Sequence, residues 1–314
     1  MNFGAVPNLH LGTSSWSTES WVGPFYPPGT PPVEFLPVYA SHYSTVEVDS
    51  TYYRIPSRKL VQGWYDRTPP GFIFAAKFPG EITHKKVLID CERETEEFLN
   101  VMELLGEKLG PLLLQFPYLN QQVIAKSEDF LSRLGRYLER LPRSHRYAVE
   151  IRNRKWLGQP LIDLLRKHNV ALALVDQAWM PTITQLTEKL DVLTTDFTYI
   201  RWIGDRKGIE EKTKTWEKII VTASPKPGSG FATSANSSSR AGPSTPITTI
   251  TTPAMGPGPS SFLVKSGRKP NRQICRARSV PTSVALETQT DAYRSLSRKL
   301  RRARPSATSR YTTA

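Results

Sequence analysis

The stretch YAVEIRNRKWLGQPLIDLLRKHNVALALVD, residues 147–176, decides the fold. It opens on the β-rich run Tyr147–Ile151, passes through an amphipathic helical pattern near 157–168 and returns to a continuous apolar run at Val170–Asp176. Strand, helix and strand in that span make a βαβ unit, and near-continuous apolar runs suit parallel strands covered on both faces. The pattern repeats outward from there. Further apolar runs lie at Leu9–Ser14, Thr45–Asp49, Phe72–Phe78, Pro111–Phe116 and Phe197–Trp202. Helical patterns lie near 33–42, 57–67, 92–108, 127–140 and 209–221, with Ser127 expected as an N-cap before Glu128 and Asp129. Seven strands alternating with helices predict an α/β fold. Repetition at this length favours a TIM-type (β/α) barrel, although spacing alone leaves an open sheet standing.

Composition divides the chain at Val221. Residues 222–314 carry 15 of the 42 Lys+Arg residues but only two acids, Glu287 and Asp291. Residues 1–221 are left with 27 bases and 26 acids, so the net charge of +14 belongs to the tail. That tail is rich in Ser, Thr, Pro and Arg and has no sustained hydrophobic period, so it reads as low-complexity and disordered. The near-neutral barrel segment argues against nucleic acid as the favoured partner. Two cysteines far apart, Cys91 and Cys275, indicate no disulfide framework and fit a cytoplasmic setting. The first residues, MNFGAVPNLHLG, lack the basic and apolar regions of a signal peptide, and no apolar run suggests a membrane span.

Each predicted strand delivers polar residues to its C-terminal end, and in a parallel barrel those ends share one face, where substrates bind. Strand one runs into Thr13, Ser14 and Trp16; strand two into Glu47, Asp49, Ser50 and Thr51; strand three into Lys77, with His84 in the loop beyond. Strands four, five and six end at Gln115, at Glu150 and Arg152, and at Asp176; strand seven holds Tyr199 and Arg201. Lys77, Arg152 and Arg201 suit an anionic group such as a phosphate or carboxylate. Glu47, Asp49, Glu150 and Asp176 are carboxylates that could act as acid, base or metal ligand, and His84 could shuttle a proton or bind a metal. The bland alternative weighs equally: Glu150 with Arg152, and Asp176 with Arg201, neutralise one another as structural pairs. The aromatic group Trp16, Trp21, Phe25 and Tyr26 could stack a ring, but a loop packing on itself is the better reading. His10, His42, His145 and His168 lack paired ligand spacing, so no metal site is expected and no cofactor is assigned.

The sequence resembles the YecE-like proteins, also called domain of unknown function 72. The resemblance rests on GTSSW at 12–16, FYP at 25–27, VEVDSTYYRIP at 46–56, FIFAAKFP at 72–79, ITHKKVL at 82–88, LLLQFP at 112–117, VEIRNRKW at 149–156 and YIRWIGD at 199–205. These motifs run in the family's order across residues 9–221. The resemblance implies a TIM-like fold of unestablished activity. It also implies a site lined by Glu47, Ser50, Thr51, Lys77, His84, Gln115, Glu150, Arg152, Asp176 and Arg201. Ile203 stands where many relatives have His. Relatives also close on an eighth strand and a motif like Asn-Asn-His-Tyr-Ala-Gly-His, which is absent as written. Reading each codon from the last base of its predecessor permits that motif across Thr249–Pro257. The resemblance therefore implies a one-base slip after Val221, a truncated barrel in 1–221 with about seven of eight strands, and an out-of-frame tail. Three functional readings remain: an enzyme binding an anionic small molecule or phosphodiester, a nucleic-acid-binding barrel, and a non-functional frameshifted fragment.

Overall fold

A computed structural model describes residues 9–204 and the backbone of residues 247–251. All seven expected strands are present: β1 (Leu9–Thr13), β2 (Thr45–Val48), β3 (Ile73–Lys77), β4 (Leu109–Gln115), β5 (Tyr147–Glu150), β6 (Ala171–Gln177) and β7 (Thr198–Gly204). Every pairing between neighbours is parallel. The count extends by one. Ile247–Thr251, inside the stretch expected to be a structureless tail, forms β8 and pairs in parallel with both β1 and β7. Its Ile and Thr residues are β-branched, the type that fits a pleated backbone. The sheet order is β1-β8-β7-β6-β5-β4-β3-β2. The rest of the expected tail, the helical pattern at 209–221 and the frame expectation lie outside the described residues.

The ring closes between β1 and β2, where a single parallel bridge joins Ser14 to Glu47 and the Ser15 N–H donates to the Glu47 carbonyl at 2.8 Å. Gly12 is required there: a Cβ at this position would stand 1.9 Å from the Thr45 carbonyl oxygen. The buried Tyr39 hydroxyl spans the same seam. It accepts from the Thr13 N–H at 2.8 Å and donates to the Thr45 carbonyl at 3.0 Å. Burial holds that phenol well above its usual range, so it stays a donor.

The helices α1 (Phe35–Ala40), α2 (Ser50–Tyr53), α3 (Arg58–Asp66), α4 (Glu92–Met102), α5 (Ser127–Arg140), α6 (Gln159–Lys167) and α7 (Ile183–Lys189) fall between the strands. Ser127 proves to be the first residue of α5 and makes no side-chain cap; Lys126 holds the cap position. Two helices lie outside the expected set. One is the single-turn α2. The other is α7, which opens on a reciprocal cap: the Thr182 hydroxyl accepts from the Gln185 N–H while the Gln185 side chain accepts from the Thr182 N–H.

The core is split in two. A large apolar layer lies between strands and helices, built from outward residues such as Val46, Phe74, Leu112, Leu114, Leu172 and Leu174. A smaller one holds Ala75, Leu113, Ala148, Ala171, Ala173, Phe197 and Tyr199. These alternate with the outward set along each strand and therefore face the lumen. Small side chains dominate because an eight-stranded barrel leaves only enough room inside for side chains to meet.

Candidate functional site

Two residues further along four of the lumen-facing rows, the side chains change to ionic or amide. Ala75 is followed by Lys77, Leu113 by Gln115, Ala148 by Glu150, and Tyr199 by Arg201, with Glu47 on β2. These groups plug the C-terminal end of the barrel, and all five are buried. Arg201 is the hub. Its Nε and Nη2 donate to the two oxygens of Glu47 at 2.9 and 2.7 Å, and its Nη1 donates to Glu150 at 2.6 Å. Glu47 also accepts from the Tyr199 hydroxyl at 2.7 Å and the Ser14 hydroxyl at 3.0 Å, and Lys77 Nζ stands 3.5 Å away. Lys77 also pairs with Asp49. Glu150 accepts from Gln115 and from Arg152 Nε, both at 3.1 Å.

Burial alone would raise both carboxyl pKa values. For Glu47 the neighbouring Arg201 and Lys77, with hydrogen bonds from Arg201 and Tyr199, overcome burial and hold the group at about 2. Arg201, Arg152 and Lys77 likewise hold Glu150 below the usual range. Both are ionised at neutral pH. Glu47 has its lone pairs taken by donors, so it is a framework anion with no proton to give.

His84 sits on the loop after β3, in a π-helical turn Glu81–Lys85. Burial, then the charges of Arg152 and Lys77, depress its pKa to about 4 against the opposing pull of Glu150. The ring is neutral at pH 7, with Nδ1 2.9 Å from the Thr83 hydroxyl. Tyr52 meets it edge-on with centroids 4.8 Å apart. Gly80 makes room for that tyrosine, since a Cβ there would lie 2.8 Å from the Tyr52 ring. The loop then passes through left-handed backbone at Val87, Leu88 and Asp90, with φ of 44°, 66° and 47°. Such conformations cost about 1–3 kcal/mol each and persist where the surroundings over-determine them. Here Val87 and Leu88 are buried, and Lys86 Nζ ties the loop to the Asp90 carbonyl and to Glu94, both at 2.7 Å.

The structure thus brings together Ser14, Glu47, Lys77, Gln115, Glu150, Arg152 and Arg201, with His84 beside them. It does not bring in the remainder of the expected set. Asp176 is exposed, on the outer face of its strand opposite Trp202, so the expected Asp176–Arg201 pair does not form. The expected Glu150–Arg152 pair does form. Thr51 is buried, with its hydroxyl 2.9 and 2.8 Å from the Val48 and Lys77 carbonyls, a scaffold role. Thr13 belongs to the β1–β2 seam, and Ser50 is exposed at the start of α2. Trp16 packs edge-on against Trp64 at 5.6 Å and Phe74 at 6.4 Å, while Trp21, Phe25 and Tyr26 are buried against one another. Asp49, expected as a carboxylate at the end of strand two, and Tyr199, expected on strand seven with no role, both join the network. The signal was the two-residue period, which puts Asp49 on the face of Glu47 and Tyr199 on the face of Arg201. Among the described residues no group of three or more His, Cys, Asp or Glu is placed to hold a metal ion. No described helix is long and apolar enough to cross a membrane.

A family model described as "Protein of unknown function DUF72" matches residues 10–242. The chain belongs to the DUF72 family. Among curated sequences it is 30% identical over 151 residues to the UPF0759 protein YecE of Escherichia coli K12, covering 48% of this chain and 51% of YecE. It is 27% identical over 163 residues to the UPF0759 protein YunF of Bacillus subtilis, covering 49% of this chain and 54% of YunF. The match thus spans about half the length of these relatives. A DUF72 protein of Thermotoga maritima shares the fold with a TM-score of 0.56 at 24% identity, covering 80% of this chain and 94% of that one. A DUF72 protein of Enterococcus faecalis does so with a TM-score of 0.53 at 20% identity, covering 80% and 90%.

Proposed function

We propose that the C-terminal mouth of this DUF72 barrel binds an anionic small molecule bearing a phosphate or carboxylate, and that Arg152 makes the contact. Within the cluster the cations are unequally engaged. Arg201 spends its Nε and both Nη groups on Glu47 and Glu150, and Lys77 is drawn to Glu47 and Asp49. Arg152 gives Glu150 only its Nε, and among the described residues its Nη groups have no partner. Its side chain is 29% exposed, at the rim of the buried network. A guanidinium oriented through Nε and open at both Nη atoms is pre-set for bidentate binding of a carboxylate or phosphate. The single observation carrying the reading is that unspent fork.

His84 is the group in the mouth suited to proton transfer. It is neutral, its Nδ1 is engaged by Thr83, and Nε2 is left as the nitrogen to meet a ligand. Glu47 and Glu150 serve as the fixed anions that hold the cations in place. Titration calorimetry with inorganic phosphate tests the binding step. Arg152→Gln should weaken phosphate binding about tenfold or more, the scale of a lost charge-assisted bidentate contact. The basic segment beyond Val221 is identical in both proteins and cancels in the comparison. Equal affinity in a variant with an unchanged melt would remove Arg152 from the site.

A further inference from the structure

We propose that the ligand is a nucleotide, its base stacking on Tyr118 while its phosphate sits on Arg152. This rests on the anion-binding reading above and names the ligand class. Three observations carry it. First, Tyr118 is 70% exposed in the loop after β4, and among the described residues neither its ring nor its hydroxyl has a partner. Second, that loop is clamped to the end of β5 beside Arg152. The Leu119 N–H donates to Asn153 Oδ1 at 2.9 Å and Asn153 Nδ2 donates back to the Leu119 carbonyl at 2.7 Å. Asn153 is 7% exposed, so the clamp is buried. One residue to one side of it stands the open guanidinium, and one residue to the other side the open ring. The clamp therefore ties the backbone that carries Tyr118 to the backbone that carries Arg152.

Third, the exposed aromatics of the described residues are all on this face. Tyr53 follows β2, Tyr118 follows β4 and Trp179 follows β6, each beyond the C-terminal end of its strand. An exposed ring is a cost to solubility that a fold normally avoids, and its concentration around a charged mouth marks a surface that meets rings. A ring plus a phosphate is the pairing that nucleotides offer. Aromatic stacking supplies the first contact without regard to which base is present, and the guanidinium supplies the second.

The test is calorimetry on the full chain with adenosine 5′-monophosphate and with ribose 5-phosphate, two monophosphates that differ in the base. Stacking of one base is worth about 1–3 kcal/mol, so the adenylate should bind about tenfold tighter. Tyr118→Ala should remove that preference and leave ribose 5-phosphate unchanged, while Tyr118→Phe should keep it. Both ligands load the basic tail alike, so the difference between them isolates the mouth. Equal binding of the two ligands, or a preference that survives Tyr118→Ala, overturns the nucleotide assignment while phosphate binding through Arg152 still stands. Loss of neither ligand on Arg152→Gln overturns the anion site itself, and the nucleotide assignment with it.

Discussion

Replacing Arg201 with methionine removes the hub of the mouth without leaving a large void. Glu47 and Glu150 are both 0% exposed and would lose three donor contacts, at 2.9, 2.7 and 2.6 Å. Breaking a buried ion pair by deleting one partner costs about 3–5 kcal/mol, because a charge is stranded away from water. Two carboxylates are stranded here, with Lys77 and Arg152 left to offset them, so the loss should reach that range. Its pH dependence is the sharper signature. In the native protein Glu47 titrates at about 2, below the 4.5 of the unfolded chain. Its contribution is complete above pH 4.5 and fades as pH falls toward 2. In Arg201→Met burial dominates and lifts the carboxyls above the unfolded value. Stability should then be greatest at low pH and decline as pH rises through the raised value, the opposite slope. Urea unfolding of the native chain, Arg201→Met, Glu47→Gln and the double variant between pH 5 and 8 closes the cycle. A loss under about 1 kcal/mol, an unchanged pH slope, or simple additivity of the two substitutions would refute the hub role.

Gly12→Ala should destabilise the barrel at the upper end of the about 1–3 kcal/mol typical of overpacking, because the added Cβ meets the Thr45 backbone oxygen at 1.9 Å; an unchanged thermal melt would contradict the tight β1–β2 seam. His84 is held at about 4 in the fold and titrates near 6.5 when unfolded. The unfolded chain therefore takes up its proton first, and stability should decline from pH 6.5 down to about 4. The decline should be less than the full linkage value because the ring is only partly buried and solvent screens its charge. Comparing melts with His84→Gln across that range, with the imidazole titrated by NMR, checks both points; a shift-derived value near 6.5 would show that the ring is not desolvated.

The barrel was legible because its evidence is periodic. Runs such as Val170–Asp176 read as covered parallel strands, and all seven expected strands occur. The strand at Ile247–Thr251 was not legible as such, since a five-residue stretch of Ile and Thr inside a Ser/Pro-rich segment offers no alternation and no flanking helix signal. In the mouth, the two-residue period told which residues share a face but not who sits opposite. Arg201 and Asp176 looked like a pair because both end neighbouring strands. The register sets Asp176 against Trp202 on the outer face and turns Arg201 inward to Glu47, 154 positions away in the chain. Partners at that distance depend on strand order and register, which no local pattern encodes. Tyr199 went unassigned for the same reason: a tyrosine in a strand is ordinary until a buried carboxylate is found 2.7 Å from its hydroxyl.

The most direct measurement is a crystal structure of this chain grown with phosphate. An anion within hydrogen-bond distance of both Arg152 Nη atoms, over an intact Arg201–Glu47–Glu150 network, is the expected result. A phosphate bound elsewhere with the mouth unoccupied, or Arg152 folded back to spend its Nη groups within the protein, would contradict it.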